Sequence, residues 1–381
     1  MNIAIIDADL IGRKKHRFPN LVCMKLSAYY KELGNNVVLK TDYEKLDQYD
    51  KVFISKVFTD TPIDKDILNL PNVEYGGTGF YYDKAPKLPY EIEHHMPDYD
   101  LYSEWVNSKI NNGSKRKEFE YYLDYSIGFS TRGCFRKCEF CVNKNYNKCE
   151  KHSPISEFYD KNRKYICLLD DNILAYPNWK DVFEELIKID KPFQYKQGMD
   201  ERLLTDEKLK ILSKMRYKDD YIFAFDNIKD KNIIVNKLKL LKKYINNRNI
   251  KFYVLCGYDR ENKWDLNFWK QDIIDTFERI KILMEYGCIP YIMRYARYKE
   301  SPYAWTYINL ASWCNQVSFF KKKSYREFCE FNQNRVKVLC STMKYLKQLE
   351  NDCPEIAEKY FDMKFEELNN YKNIKENLKE V

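Results

Sequence analysis

Short apolar runs alternate along the chain with longer stretches whose apolar residues fall three and four apart, and this alternation predicts its elements. Residues 2–6, 36–39, 51–56 and 73–75 read as strands, and 21–33 reads as a helix ended by Gly34. Gly76 and Gly77 follow the fourth strand. Strands and helices in such quick succession argue for a parallel sheet with helices on its faces, a small Rossmann-like domain over residues 1–85. The pattern lapses over 86–124, a linker in which the charged stretch 103–121, with Lys115-Arg116-Lys117, reads as an exposed loop. From residue 125 it resumes with a period of about thirty residues, the length of a βα repeat. Strand candidates are 125–130, 165–169, 193–197, 221–225, 251–256 and 289–293, with helices at 179–189, 206–215, 232–245 and 269–286 between them. Six such units suit a partial (β/α)6 TIM-type barrel over 125–300, whose site is built by loops at the carboxyl ends of the strands. Residues 301–381 read as mostly helical, which completes an α/β chain with a helical C-terminal region. There Trp305, Tyr307, Trp313, Phe319 and Phe320 precede Lys321-Lys322-Lys323. Aromatics at helical spacing read as core, although aromatics beside basic residues can also hold a nucleic acid.

Composition changes this picture little. A chain of 381 residues with 44% hydrophobic content favours two domains with sizeable cores. Its 65 basic and 57 acidic residues leave +8, compatible with a nucleic-acid partner without demanding one. The 33 tyrosines against 11 glycines read as the imprint of an A·T-rich genome. The opening Met-Asn-Ile-Ala-Ile-Ile carries no signal peptide and no apolar run reaches eighteen residues, so a cytoplasmic location without a membrane partner is expected.

The cysteines carry the sharpest signal. Of twelve, Cys23, Cys167, Cys256 and Cys288 lie in apolar runs and read as small core residues. Cys314, Cys329, Cys340 and Cys353 are spaced too widely for a recognisable motif. Cys134, Cys138 and Cys141 stand together in Thr131-Arg132-Gly133-Cys134-Phe135-Arg136-Lys137-Cys138-Glu139-Phe140-Cys141. Three thiolates in one loop can converge on a soft metal centre and leave one position of a four-iron cluster unfilled.

The spacing Cys-x3-Cys-x-aromatic-Cys resembles the radical S-adenosylmethionine (SAM) superfamily. The resemblance implies a [4Fe–4S] cluster on Cys134, Cys138 and Cys141, with SAM chelating the fourth iron and Phe140 flanking its adenine. It further implies reductive cleavage of SAM to a 5′-deoxyadenosyl radical, which abstracts hydrogen from a substrate, and an electron donor of flavodoxin or ferredoxin type. The competing reading is a zinc-stabilised nucleic-acid-binding protein with Cys149 or His152 as fourth ligand. Zinc modules favour well-separated cysteine pairs, whereas here the ligands are compressed into one loop.

A Rossmann-like domain ahead of the cysteine loop resembles the cobalamin-binding domain of one subgroup, as do Gly76-Gly77, Leu88-Pro89-Tyr90-Glu91-Ile92-Glu93 and Pro97-Asp98-Tyr99. The Asp-x-His-x-x-Gly signature that supplies cobalamin's lower ligand is missing. His16 lies in Lys14-Lys15-His16-Arg17-Phe18, and His94 and His95 lie in the linker. Cobalamin is therefore not expected, although forms that lack the histidine ligand exist in that subgroup. Some relatives carry auxiliary clusters, but the spacing of the four late cysteines gives that no support.

The remaining site candidates follow the strands. Asp170-Asp171-Asn172 occupies the place of the family's Gly-Gly-Glu motif; one of the two carboxylates would accept from the methionyl ammonium of SAM, and a helix cap is the plain alternative. Gln197, in Gln-Gly-Met-Asp-Glu-Arg, could bond ribose or carboxylate. Arg202 either forks onto the methionyl carboxylate or pairs with Asp200 or Glu201. Asp226 could meet ribose or substrate, Gly257 would let backbone approach the adenine, and Arg294, with Tyr295 and Arg297, would line the mouth. The substrate stays open among a nucleic acid or nucleotide, slightly favoured by charge and aromatics, a small metabolite and a peptide.

Overall fold

The computed structural model describes residues 1–246 and 249–371. One compact unit ends at Lys196 and a second begins at Gln197.

In the first unit β1 (Asn2–Asp7), β2 (Asn36–Lys40), β3 (Lys51–Ser55) and β4 (Val73–Gly76) form a parallel sheet in the order β2-β1-β3-β4. Ile3, Ala4, Ile5 and Ile6 are all fully buried, which is why β1 is a continuous apolar run. Period-two alternation sends Ile3 and Ile5 into one core with Cys23, Met24 and Leu26, and Ala4 and Ile6 into another with Val52 and Ile54. The helix Leu21–Glu32 starts where the Asn20 side chain accepts from the amides of Val22 (3.1 Å) and Cys23 (3.3 Å).

The stretch 103–121 corrects the reading of an exposed loop. It holds the helix Ser103–Asn111, a turn over Arg116–Phe119 and the start of the helix Glu120–Leu123. Val106, Phe119 and Tyr122 are buried in the same core as Ile3 and Cys23. Three anchors scattered among charges leave no visible period, so the charge pattern masked them; Lys115, Arg116 and Lys117 do stay exposed.

β5 (Tyr125–Gly128) follows, then a two-residue antiparallel pair of β6 (Thr131–Arg132) and β7 (Glu150–Lys151). β8 (Tyr165–Leu168) and β9 (Phe193–Tyr195) join β5 in a parallel sheet in the order β5-β8-β9, with the helix Trp179–Ile189 between the last two.

The second unit holds β10 (Tyr221–Ala224), β11 (Ile250–Cys256) and β12 (Ile289–Arg294), parallel in that order. The helices Asp206–Leu212, Lys231–Tyr244 and Leu266–Glu285 alternate with them. Thus the chain is α/β with parallel sheets, and each unit carries three of the six later strands. Beyond residue 300 come helices from Ala304–Cys314 to Phe365–Leu368, with Tyr307, Trp313, Phe320 and Tyr325 fully buried. The aromatics there are mainly core. Cys314, Cys329 and Cys353 are buried and Cys340 is half-buried, all free. Among the described residues no helix is long and apolar enough to cross a membrane.

Candidate functional site

The cysteine loop leaves β5 and is held by the three residues that follow the neighbouring strand β8. Gly128 pairs with Leu168, so the chain after each strand emerges at the same edge. Asp170, buried, accepts from the amides of Ser130 (2.7 Å) and Thr131 (3.1 Å), from the Thr131 hydroxyl (2.8 Å) and from the Ser130 hydroxyl. Burial pushes its carboxyl up to about 6 against the pull of those bonds. Asp171 accepts from the Gly133 amide (2.7 Å) and Asn143 Nδ2 (2.8 Å), with the Arg132 guanidinium 3.7 Å away. Asn172, also buried, donates from Nδ2 to Cys134 Sγ (3.3 Å), while its Oδ1 has no partner. Both carboxylates thus act on the loop, and the amide touches a cysteine.

The loop's conformation needs glycine. Gly133 has φ +92°, and a Cβ there would collide with the Lys148 carbonyl. Downstream, the Arg136 amide donates to Cys134 Sγ and the Asn143 amide to Cys141 Sγ, both at 3.4 Å. Burial raises the Cys141 thiol above its ordinary range. Phe140 is half-buried, and its carbonyl accepts from the Tyr82 hydroxyl. Asp83 takes Lys144 (3.3 Å) and Asn145 (3.0 Å), so residues 82–83 of the amino-terminal domain grip the loop.

Among the described residues no three His, Cys, Asp or Glu side chains are grouped to hold a metal ion. The chemistry of the donor set nonetheless fits a thiolate-bound cluster. Three thiols share one loop, and two of the sulfurs already receive N–H donors of the kind that stabilise charge on sulfur. Of the extra ligands a zinc centre would need, His152 is engaged by Glu93, and Cys149 is free. Cys149 is buried and its thiol is pushed up to about 12, chiefly by that burial. His152 Nε2 lies 3.1 Å from Glu93, whose carboxyl burial would raise but His152 and Lys25 hold at about 2.

In the second unit charged groups collect at the carboxyl ends of β10–β12. Arg202 bonds Asp200 (2.6 Å) and Asp230 (2.9 Å), the pairing alternative of the sequence reading. Gln197 is exposed. Asp226 accepts from the Leu255 amide (3.2 Å), and burial raises its carboxyl. Gly257, at φ +72°, packs against Tyr298, and its amide donates to Asp272 (2.7 Å). Arg294 lies 4.6 Å over the Tyr298 ring and donates to its hydroxyl (3.1 Å). The structure therefore gathers Asp226, Gly257 and Arg294 around these strand ends.

Three residues there were not singled out as site candidates by the sequence reading. Glu201 is 2% exposed; one carboxylate oxygen accepts from the Ala224 amide (3.2 Å) and the other has no partner. Burial, reinforced by the neighbouring Asp200 charge, pushes it up to about 8. Arg279, fully buried, donates to the carbonyls of Phe225 (3.0 Å) and Leu255 (2.8 Å), and Asp272 bonds Tyr307 as well as Gly257. Arg279 had a signal: it falls on the apolar face of a helix beside Ile273, Phe277 and Ile280.

The carboxyl edge of the amino-terminal sheet lacks the histidine that would supply cobalamin's lower ligand. Asp7-Ala8-Asp9-Leu10-Ile11-Gly12 matches the missing signature in its first and last positions, with Asp9 in place of the histidine. Asp9 is buried and accepts from the Val57 amide (2.7 Å) and the Thr61 hydroxyl, so it is spent on the segment after β3.

No protein-family model matches the chain, and no curated protein matches it. Its fold is similar to solved structures of a cobalamin-dependent S-adenosylmethionine radical enzyme, OxsB. One has aqua-cobalamin and S-adenosylmethionine bound (TM-score 0.46, 12% identity) and another aqua-cobalamin (0.45, 14%). Each match covers 93% of this chain and 61% of the other, so the chain spans less than two thirds of that enzyme's length.

Proposed function

We propose that this chain is a radical SAM enzyme, with Cys134, Cys138 and Cys141 holding three irons of a [4Fe–4S] cluster. The observation that carries the reading is the cysteine loop fixed by the run Asp170-Asp171-Asn172, whose last member donates to Cys134 Sγ. When bound, the cluster and SAM supply one-electron cleavage of the sulfonium and a 5′-deoxyadenosyl radical that takes hydrogen from the substrate.

The chain's own residues do the positioning. Asp170 ties the start of the loop to the end of β8, and Asp171 fixes Gly133, the residue before the first cysteine. Asn172 and the amides of Arg136 and Asn143 place N–H dipoles on sulfur, which favours the thiolate. The unpartnered Oδ1 of Asn172 is an acceptor suited to the ammonium of SAM. Phe140, Gln197, Asp226, Gly257 and Arg294 complete our assignment of SAM contacts. Arg202 is held by two carboxylates and is left out of that assignment. The electron donor is of flavodoxin or ferredoxin type, and the setting is the cytoplasm.

The test is anaerobic reconstitution, a visible spectrum, and assay of 5′-deoxyadenosine after adding SAM and dithionite. The wild type should absorb broadly near about 400 nm and release 5′-deoxyadenosine. The Cys134/Cys138/Cys141→Ala protein should do neither. A colourless wild type holding stoichiometric zinc and releasing no 5′-deoxyadenosine refutes the proposal.

A further inference from the structure

Two basic runs about a hundred residues apart in sequence meet in the first unit. Arg17 lies 5.2 Å over the Phe119 ring and 3.6 Å from Glu118, which brings Arg13-Lys14-Lys15-His16-Arg17 against Lys115-Arg116-Lys117. Lys14, Lys15 and Lys117 are exposed, and among the described residues none of them is in an ion pair. A cavity of about 460 Å³ opens beside the first run, lined by residues 13 to 17 with Phe58 and Asp60. Asp60, the acid in that lining, is taken up by Arg13 at 2.6 Å. Phe58 is 39% and Val57 49% exposed, so apolar surface borders the cations.

The position adds to the chemistry. These residues follow β1 and β3, and the strand order β2-β1-β3 reverses between them, the place where open α/β sheets take ligands. Adjacent unpaired cations repel one another, and a polyanion relieves that repulsion while releasing its own counterions. A single phosphate would be met by the first run alone. Lys115 and Lys117 extend the positive surface beyond the cavity lining, which suits a chain of phosphates.

We propose that this face binds the phosphate backbone of a single-stranded nucleic acid, with Phe58, already under the Arg13 guanidinium at 4.2 Å but 39% exposed, offering the rest of its ring to the bases. The inference names a substrate class for the function proposed above, and rests on that function only for the chemistry after binding.

The experiment uses the full chain without iron or SAM and a short fluorescein-labelled single-stranded RNA, with anisotropy read across a salt series. Four phosphate contacts, from Lys14, Lys15, Lys115 and Lys117, give a log–log salt slope of about −3. Lys14→Ala/Lys15→Ala should bring the slope to about −1.5 and weaken low-salt binding by roughly tenfold or more. Lys321→Ala/Lys322→Ala, an equal change of charge elsewhere, should bind like wild type. No binding at low salt, equal losses in both variants, or full displacement by micromolar pyrophosphate would overturn the proposal. Because 5′-deoxyadenosine release is assayed without RNA, the two proposals fail separately.

Discussion

Replacing Glu201 by Gln tests whether a carboxyl at the strand ends of the second unit is buried as its surroundings indicate. The side chain is 2% exposed, with one oxygen on the Ala224 amide and the other unpartnered. Burial, and then the charge of Asp200, raises its pKa from 4.5 to about 8. A folded-state pKa above the unfolded one means that the native protein binds the extra proton. The stability it contributes is therefore complete below about pH 4.5 and is lost as pH rises through about 8. At about 1.4 kcal/mol for each tenfold change in proton affinity, the full loss is about 5 kcal/mol. Glutamine keeps the shape and cannot ionise. Its extra N–H donors need an acceptor, an offset of about 1 kcal/mol that does not vary with pH. Urea unfolding of both proteins between about pH 4 and pH 9 should show the wild type losing stability relative to Glu201→Gln across that window. Curves separated by a constant offset would refute a buried, proton-binding Glu201, and with it the polar strand-end cluster as drawn.

Three further outcomes bear on the cysteine loop. Gly133→Ala must hold φ +92° with a Cβ against the Lys148 carbonyl, and should cost more than about 1 kcal/mol in urea unfolding of the metal-free chain. Asp171→Ala removes the acceptor of the Gly133 amide and of Asn143, and should speed iron release to a chelator from reconstituted protein roughly 10–100-fold. Asn172→Leu deletes the N–H donor to Cys134 Sγ, so the reduced and more negative cluster loses more stabilisation than the oxidised one; its potential should fall in an EPR-monitored titration.

The legible part of the fold was the part whose burial is periodic. β1 could be read because four successive residues are buried in a parallel sheet, and the helix Trp179–Ile189 because Val182, Phe183 and Leu186 fall on one face. The stretch 103–121 could not, since Val106, Phe119 and Tyr122 anchor it from separate turns among charged residues. The cysteine spacing was legible because ligands in one loop must be near in sequence. What holds the loop was only half legible: Asp170 and Asp171 were picked as cofactor contacts, yet they reach back 40 and 38 residues to Ser130 and Gly133. Glu201 was hidden for another reason. Its neighbours Asp200 and Arg202 look like a surface charge cluster, and only the tertiary contact with Ala224 reveals a buried acid.

The amino-terminal domain shows why a fold does not name a ligand. Its sheet has the strand order that creates a crevice between β1 and β3, yet the residue at the signature position is Asp9, and its carboxylate fastens the segment after β3. What the domain does offer is a grip on the cysteine loop. Tyr82 sits at φ +52°, a conformation that costs a bulky residue about 1–2 kcal/mol, and its hydroxyl reaches the Phe140 carbonyl while Asp83 takes Lys144 and Asn145. Strain of that size persists only where the surroundings over-determine it, and here they fix the backbone between the second and third cysteines. Through Tyr82 and Asp83 the domain therefore helps to hold the loop in shape.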